Sequence, residues 1–346
     1  MKKWIAIVWL TVLTFTFLSS CGVSRIPISD SDASAVDTSE TEEESLKTLY
    51  MDPSNIDSSK NEETGEAKLI GFKTSASDYD GAFNSEVGWS AAGMGYIIKT
   101  ENGSLIAIDG GYAEDATAFY GLLKDNSSSE TVVVDYWILT HPHADHVDAF
   151  VNIANNGNTP ITVRNIVFDF PTDLNDPGSS ARYHQEVNEL SRALGATVIT
   201  PRKDDKIYLD GVELHFLYTP VAYGSYTSGN YISLIFTVKT DRKSIMITGD
   251  AMPPTLESVA NEYKDALKCD ILQMPHHFLC DTGNEAFYTY VSADTMLLPT
   301  SKAGFKAMTD LNSEYRYYSL NITNKAALNR AKTVYKAFDG NFEISF

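Results

Sequence analysis

Three imidazoles and a carboxylate fall within six residues at His141-Pro142-His143-Ala144-Asp145-His146, directly after the largely apolar run Val132–Leu139. Imidazole nitrogen and carboxylate oxygen are ligands for a borderline cation such as zinc. A strand ending in this loop turns His141 and His143 to one side. The chain then bends, so Asp145 and His146 face an adjacent position. Two neighbouring cations can ionise a water between them, the opening step of metal-assisted hydrolysis. The fold therefore has to be one in which a buried strand delivers a ligand loop to a sheltered edge.

The start of the chain reads as an export signal over residues 1–20. Lys2 and Lys3 form its charged start, and Trp4 to Leu18 is mostly apolar and uncharged. That run falls short of the ~20 residues that span a bilayer comfortably. Leu18-Ser19-Ser20-Cys21 is similar to a bacterial lipobox, which implies lipidation of Cys21; an uncleaved signal anchor is the alternative. Both place the body of the protein outside the cytoplasm, anchored at the membrane. Residues 21–66 read as a flexible tether: from Gly22 to Glu66, twelve Asp/Glu face three Lys/Arg, with little apolar surface to offset the entropy of ordering. Residues 67–346 suit one large domain. The chain's formal charge is −19. Strong nonspecific binding to long nucleic acid needs a basic surface, so that class of partner is disfavoured.

Strands are predicted over Ala67–Phe72, Gly93–Lys99 and Ser104–Ile108, the last two joined by a turn containing Asn102-Gly103. Asp109-Gly110-Gly111 then lets backbone approach a site closely. Further strands are predicted at Val132–Thr140, Ile161–Phe170, Ala196–Thr200, Lys206–Leu209, Val212–Tyr218, Tyr231–Lys239, Ser244–Thr248, Asp270–Met274 and Thr295–Leu298, with short ones near Val334 and Phe342. Helices are predicted at Ala113–Lys124, Val147–Ala154, Ala181–Leu194 (closed by Gly195), Pro254–Ala266, Glu285–Val291 and Lys325–Lys332. Cys269 reads as a buried strand thiol, and a Cys269–Cys280 disulfide is awkward between a strand and its own loop.

The order of these pieces resembles the metallo-β-lactamase superfamily, and within it the metallo-hydrolase domain of ComEC-type competence proteins. The resemblance spans roughly residues 67–346. It rests on Asp109-Gly110-Gly111, His141–His146, Asp210-Gly211-Val212-Glu213-Leu214, Thr219-Pro220, Asn230-x-x-Ser233-Leu234, Ile247-Thr248-Gly249-Asp250, Pro275-His276-His277 and Asp339-Gly340. It implies an α/β fold of four αββα layers, two mixed sheets flanked by helices, with the metal site along one edge. The chain departs from the competence branch at His143, where aspartate is common, and at Phe278-Leu279, where Gly-Ser commonly follows the histidine pair.

By that resemblance His141 and His143 hold one metal, Asp145 and His146 the other, and Asp250 bridges them. Of the adjacent pair, His277 is taken as a ligand and His276 as a hydrogen-bond donor to the transition state. Asp145 orients the nucleophile and relays its proton. Asp109 supports a ligand histidine from behind, or else merely caps its turn. His184 either completes the first metal or is a surface-helix residue; His215 reads as structural. Asn230 and Ser233 cap or line the edge, and Tyr315, Tyr317 and Tyr318 form a rim or a stacking surface. Two divalent ions are implied, zinc first, with manganese or iron as alternatives. The leading function is hydrolysis of a small or short phosphoester or phosphodiester. Hydrolysis of a carbonyl ester, lactone or β-lactam, and a non-catalytic metal-binding lipoprotein, are the alternatives.

Overall fold

The computed structural model describes residues 66–83, 92–157, 159–172, 180–220, 228–279, 283–310 and 321–346, all in the unit Ser58–Phe346. The signal with Cys21, nearly all of the tether, Cys280 and the Tyr315–Tyr317–Tyr318 cluster lie outside the described residues.

The chain first lays down β1 (Lys68–Gly71), β2 (Gly95–Lys99) and β3 (Leu105–Asp109), then α1 (Ala116–Asn126), β4 (Val132–Ile138), α2 (Ala144–Asn155), β5 (Ile161–Val167), α3 (Ser180–Leu194) and β6 (Thr197–Ile199). It continues with β7 (Lys206–Leu209), β8 (Val212–Tyr218), β9 (Ile235–Lys239), β10 (Ser244–Ile247), α4 (Pro253–Tyr263), β11 (Ile271–Gln273), α5 (Glu285–Val291), β12 (Thr295–Leu298), α6 (Lys302–Thr309), α7 (Ile322–Leu328), β13 (Thr333–Lys336) and β14 (Phe342–Ser345). One sheet runs β14-β1-β2-β3-β4-β5-β6 and the other β13-β12-β11-β10-β9-β8-β7. In each, hairpin-linked strands pair antiparallel and helix-linked strands pair parallel, as connection length requires.

Alternation of side chains along the strands generates the layers. In β3, Leu105 and Ala107 join the apolar cluster with Phe119, Trp137 and Phe150 under α1 and α2. Ile106 and Ile108 turn to the cluster between the sheets, where they meet Phe216, Phe236 and Ile247. In β10, Ile245 and Ile247 face that middle cluster while Met246 faces a third, built with Leu256, Val259 and Phe287 from α4 and α5. Three cores separate four layers, so the architecture is the expected αββα sandwich.

Four local expectations are corrected. The helix predicted from Val147 begins at Ala144, so Asp145 and His146 belong to its first turn. The strand predicted over Tyr231–Lys239 begins only at Ile235, and Tyr231 and Ile232 belong instead to a 3₁₀ turn, Gly229–Ile232, opened by Ser228. Helix α6 was not predicted; Ser301 caps it by accepting the Gly304 N–H at 3.0 Å. The C-terminal helix lies at Ile322–Leu328 rather than Lys325–Lys332.

Candidate metal centre

The loops at the C-terminal ends of β3, β4, β10 and β11 meet at one place. Asp109 ends β3, Thr140 and His141 follow β4, Gly249-Asp250 follows β10, and Pro275-His276-His277 follows β11. Ligand atoms of Asp145, His146, Asp250 and His277 lie within 4.8 Å of one another, as do those of His141, His143 and Asp250. Asp250 is common to both groups.

Three of the imidazoles are aimed by their other nitrogen. His146 Nδ1 donates to Asp109 Oδ2 at 2.7 Å, leaving Nε2 toward the cluster. His277 Nδ1 donates to the Pro299 carbonyl at 2.8 Å, again leaving Nε2. His141 Nδ1 lies 3.1 Å from Thr140 Oγ1, which itself donates to Asp109 Oδ2 at 2.8 Å. Asp109 Oδ1 also accepts the Thr140 N–H at 2.8 Å. One fully buried carboxylate thus fixes two histidine-bearing segments, the arrangement that orients metal-ligating imidazoles from behind.

The inward nitrogens converge. His141 Nε2 is 3.1 Å from His143 Nδ1, and His146 Nε2 is 3.3 Å from His277 Nε2. His277 Nε2 lies 3.0 Å from Asp145 Oδ2 and 3.1 Å from Asp250 Oδ2. Buried Asp250 Oδ1 accepts no hydrogen bond among the described residues. Imidazole nitrogens this close to one another, beside a buried carboxylate oxygen without a hydrogen bond, are costly unless a proton or a cation lies between them. The donor set, imidazole nitrogen and carboxylate oxygen, fits divalent transition ions.

The electrostatics point the same way. Burial alone would lower His277, but the charges of Asp250 and Asp145, with hydrogen bonds to both, hold it at about 9. His146 is likewise held well above its usual range, against burial, by Asp250, Asp145 and Asp109. Burial would raise Asp145 and Asp250, yet the surrounding histidines hold both well below the carboxylate range. Burial, joined by the positive charge of His146, drives His141 well down. Burial also lowers His276, to about 4, so this ring is neutral near pH 7. The site is a sheltered pair of carboxylates that draws positive charge into itself.

The histidine pair is separated by backbone strain. His276 (φ 47°, ψ 50°) and His277 (φ 55°, ψ 24°) are both left-handed, as is Phe278 at φ 64°. Non-glycine residues there cost about 1–3 kcal/mol each. The buried Phe278 ring, and the His276 N–H donated to the Gly249 carbonyl at 3.2 Å, hold the loop against that cost. His277 then enters the cluster. His276 stands beside it, its Nε2 3.9 Å from Asp250 Oδ2 and 3.2 Å from Asn230 Nδ2.

His184 belongs to neither group; its Nδ1 donates to the Phe170 carbonyl at 2.6 Å, so the structure does not bring it to the first metal position. His215 lies 3.3 Å from Asp204 and is likewise in neither group. Ser233 Oγ accepts the Asp250 N–H at 3.1 Å. Cys269 forms no disulfide among the described residues, and burial pushes its thiol up to about 12. Sequence reasoning missed Gln273. Its buried amide accepts the Thr248 N–H at 2.8 Å and donates to the Gly249 carbonyl at 3.1 Å, clamping the Asp250 turn to β11. The signal was a lone amide in the apolar stretch Cys269–Met274.

No protein-family model matches the chain, and no curated protein matches it in sequence. Solved structures resemble it in fold. Zn(2+)-bound PqqB from Methylobacterium extorquens is 9% identical, with a TM-score of 0.50 over 81% of this chain and 100% of that one. The metallo-β-lactamase fold protein YhfI from Bacillus subtilis is 15% identical, with a TM-score of 0.46 over 81% of this chain and 100% of its own. CmlA, a diiron β-hydroxylase from Streptomyces venezuelae, is 11% identical with a TM-score of 0.48; this chain spans 82% of its own length but only 55% of that protein. The chain thus has two seven-stranded mixed sheets flanked by helices, with five of its seven histidines gathered at the shared strand ends, and its fold is similar to that of Zn(2+)-bound PqqB.

Proposed function

We propose that this protein is an extracytoplasmic, membrane-anchored, metal-dependent hydrolase of small or short phosphoesters or phosphodiesters. The observation that carries the metal-dependent part is the convergence of His141, His143, Asp145, His146, Asp250 and His277 on two donor groups sharing one carboxylate. His141, His143 and Asp250 would hold one divalent cation; Asp145, His146, His277 and Asp250 would hold the other. A bound pair supplies the charge that ionises water near neutrality and steadies developing negative oxygen.

The chain's own groups do the rest. Asp145, held ionised, accepts a hydrogen bond from the attacking water and takes its proton. His276 is neutral near pH 7 and donates a hydrogen bond to the oxygen on which charge develops. Asp109 keeps His146 in the tautomer that presents Nε2. Zinc leads for the cation, with manganese or iron as alternatives. The likeness to the competence-type hydrolases supports phosphodiester chemistry. The formal charge of −19 favours small substrates over long nucleic acid. The lysine-led apolar start and Cys21 support lipid anchoring.

The test is turnover of bis(p-nitrophenyl) phosphate, with nitrocefin alongside, by the full-length protein loaded separately with zinc, manganese and iron. Cleavage of the phosphodiester that chelation abolishes is expected. Nitrocefin cleavage alone would transfer the reading to carbonyl substrates; no turnover on either would leave a metal-binding lipoprotein.

A further inference from the structure

The two donor groups are unequal. Asp145, His146, Asp250 and His277 offer four ligand atoms, while His141, His143 and Asp250 offer three. Of the neighbouring histidines, His184 is turned to the Phe170 carbonyl and His276 belongs to neither group. Among the described residues, a further polar neighbour of this group is an amide.

Asn230 stands in the 3₁₀ turn Gly229–Ile232, whose cap, Ser228, accepts the Asn230 N–H through Oγ at 3.4 Å. That turn is fastened to the three-donor group at several points. A Cβ added at Gly229 would fall 2.9 Å from His143 Nε2, so the backbone lies directly on that ring. Ser233 Oγ accepts the Asp250 N–H at 3.1 Å, and the Leu234 N–H reaches the Thr140 carbonyl at 3.0 Å. Asn230 Nδ2 lies 3.2 Å from His276 Nε2. Its Oδ1 is buried and has no hydrogen-bond partner among the described residues. Leaving a buried acceptor unpaired costs about 1–3 kcal/mol. Here that cost falls on the residue that follows Gly229, the position seated on His143 in the group that is one donor short.

We propose that the Asn230 carboxamide oxygen is the fourth protein ligand of the cation held by His141, His143 and Asp250. His276 fixes the other end of the amide. The proposal rests on the paired-cation reading above. It makes the two positions chemically distinct: two carboxylates and two imidazoles at one, and a neutral oxygen in place of a third imidazole at the other. Oxygen donors suit manganese-like ions and imidazole suits zinc, so Asn230 shifts the preference of the three-donor position away from zinc.

The experiment titrates metal-free full-length protein with Co(II), read by its visible absorption, and then competes Mn(II) against Zn(II). Wild type is expected to take up two equivalents, the second more weakly. N230A is expected to weaken the second by about tenfold or more and change its spectrum, with the first unaltered. N230D keeps the oxygen and is expected to retain both. N230H is expected to move the second equivalent's Zn(II)-over-Mn(II) preference up by about tenfold or more, a change no purely structural role produces. Two equivalents with wild-type affinity and spectrum in N230A would overturn the assignment. If N230A does not fold, unaltered selectivity in N230H would overturn it. A wild-type chain that binds a single cation would instead overturn the paired-cation reading.

Discussion

His277 carries the sharpest consequence at the residue scale. Its conjugate acid is held at about 9 because Asp250 and Asp145 outweigh burial, so below that pH a cation must displace a proton to bind. With His146 also held above its usual range, raising the pH from 7 toward 9 is therefore expected to strengthen metal binding by about tenfold per unit or more. Calorimetry in buffers of differing ionisation enthalpy at pH 7.5 should record proton release on metal uptake; uptake without release would contradict the assignment. Asp109→Ala leaves the ligands in place but removes the acceptor behind His146, and is expected to weaken metal binding about 10–100-fold. Asp145→Ala or His143→Ala is expected to lower turnover by about 10³-fold or more with an unchanged far-UV circular dichroism spectrum. The ligand candidates were legible in the sequence because histidine and aspartate at H-x-H-x-D-H spacing are chemically unusual. Asn230 reads in the sequence only as a residue at the edge and Gln273 not at all, because amides are chemically generic, and only the fold brings position 230 to His276 and position 273 to position 249.

At the scale of elements, what positions the site is a set of turns tied to one another. Gly249 has φ +53°, and a Cβ there would lie 3.0 Å from Thr140 Oγ1. Gly249→Ala is thus expected to cost about 1–2 kcal/mol in stability through left-handed strain, and to displace Asp250 so that metal affinity falls further than stability does. Denaturant melts with and without cation measure both. The strand interiors were readable from alternating apolar residues, but the conformation of the turn at Gly229–Ile232 was not. Tyr231-Ile232 has strand-forming side chains, yet Ser228 capping and the preceding Gly229-Asn230 close a 3₁₀ turn instead. Gly304 weakens the propensity of α6, which forms because Ala303, Ala307 and Met308 bury one stripe against the α4–α5 side. The metal motif also hid a helix start, since its Asp145 and His146 are the first turn of α2.

Across the whole molecule, three apolar layers hold four structural layers, and the site lies where strand ends from both sheets meet. Because the donors come from both sheets, a bound cation ties them together. Saturation at about 100-fold over the dissociation constant would add about 2.7 kcal/mol per cation, so the melting temperature is expected to rise by several degrees and to fall back on chelation. The acidic body is expected to leave duplex DNA unbound at physiological salt, and Cys21→Ser to release the protein from the membrane fraction. The most direct measurement is anomalous diffraction at the metal edge from crystals of the loaded protein. Two peaks about 3.5–4 Å apart, one beside His141 and His143, the other beside His146 and His277, with Asp250 between them, are the expected result. A lone peak elsewhere on the surface, or none, would contradict the paired-cation centre.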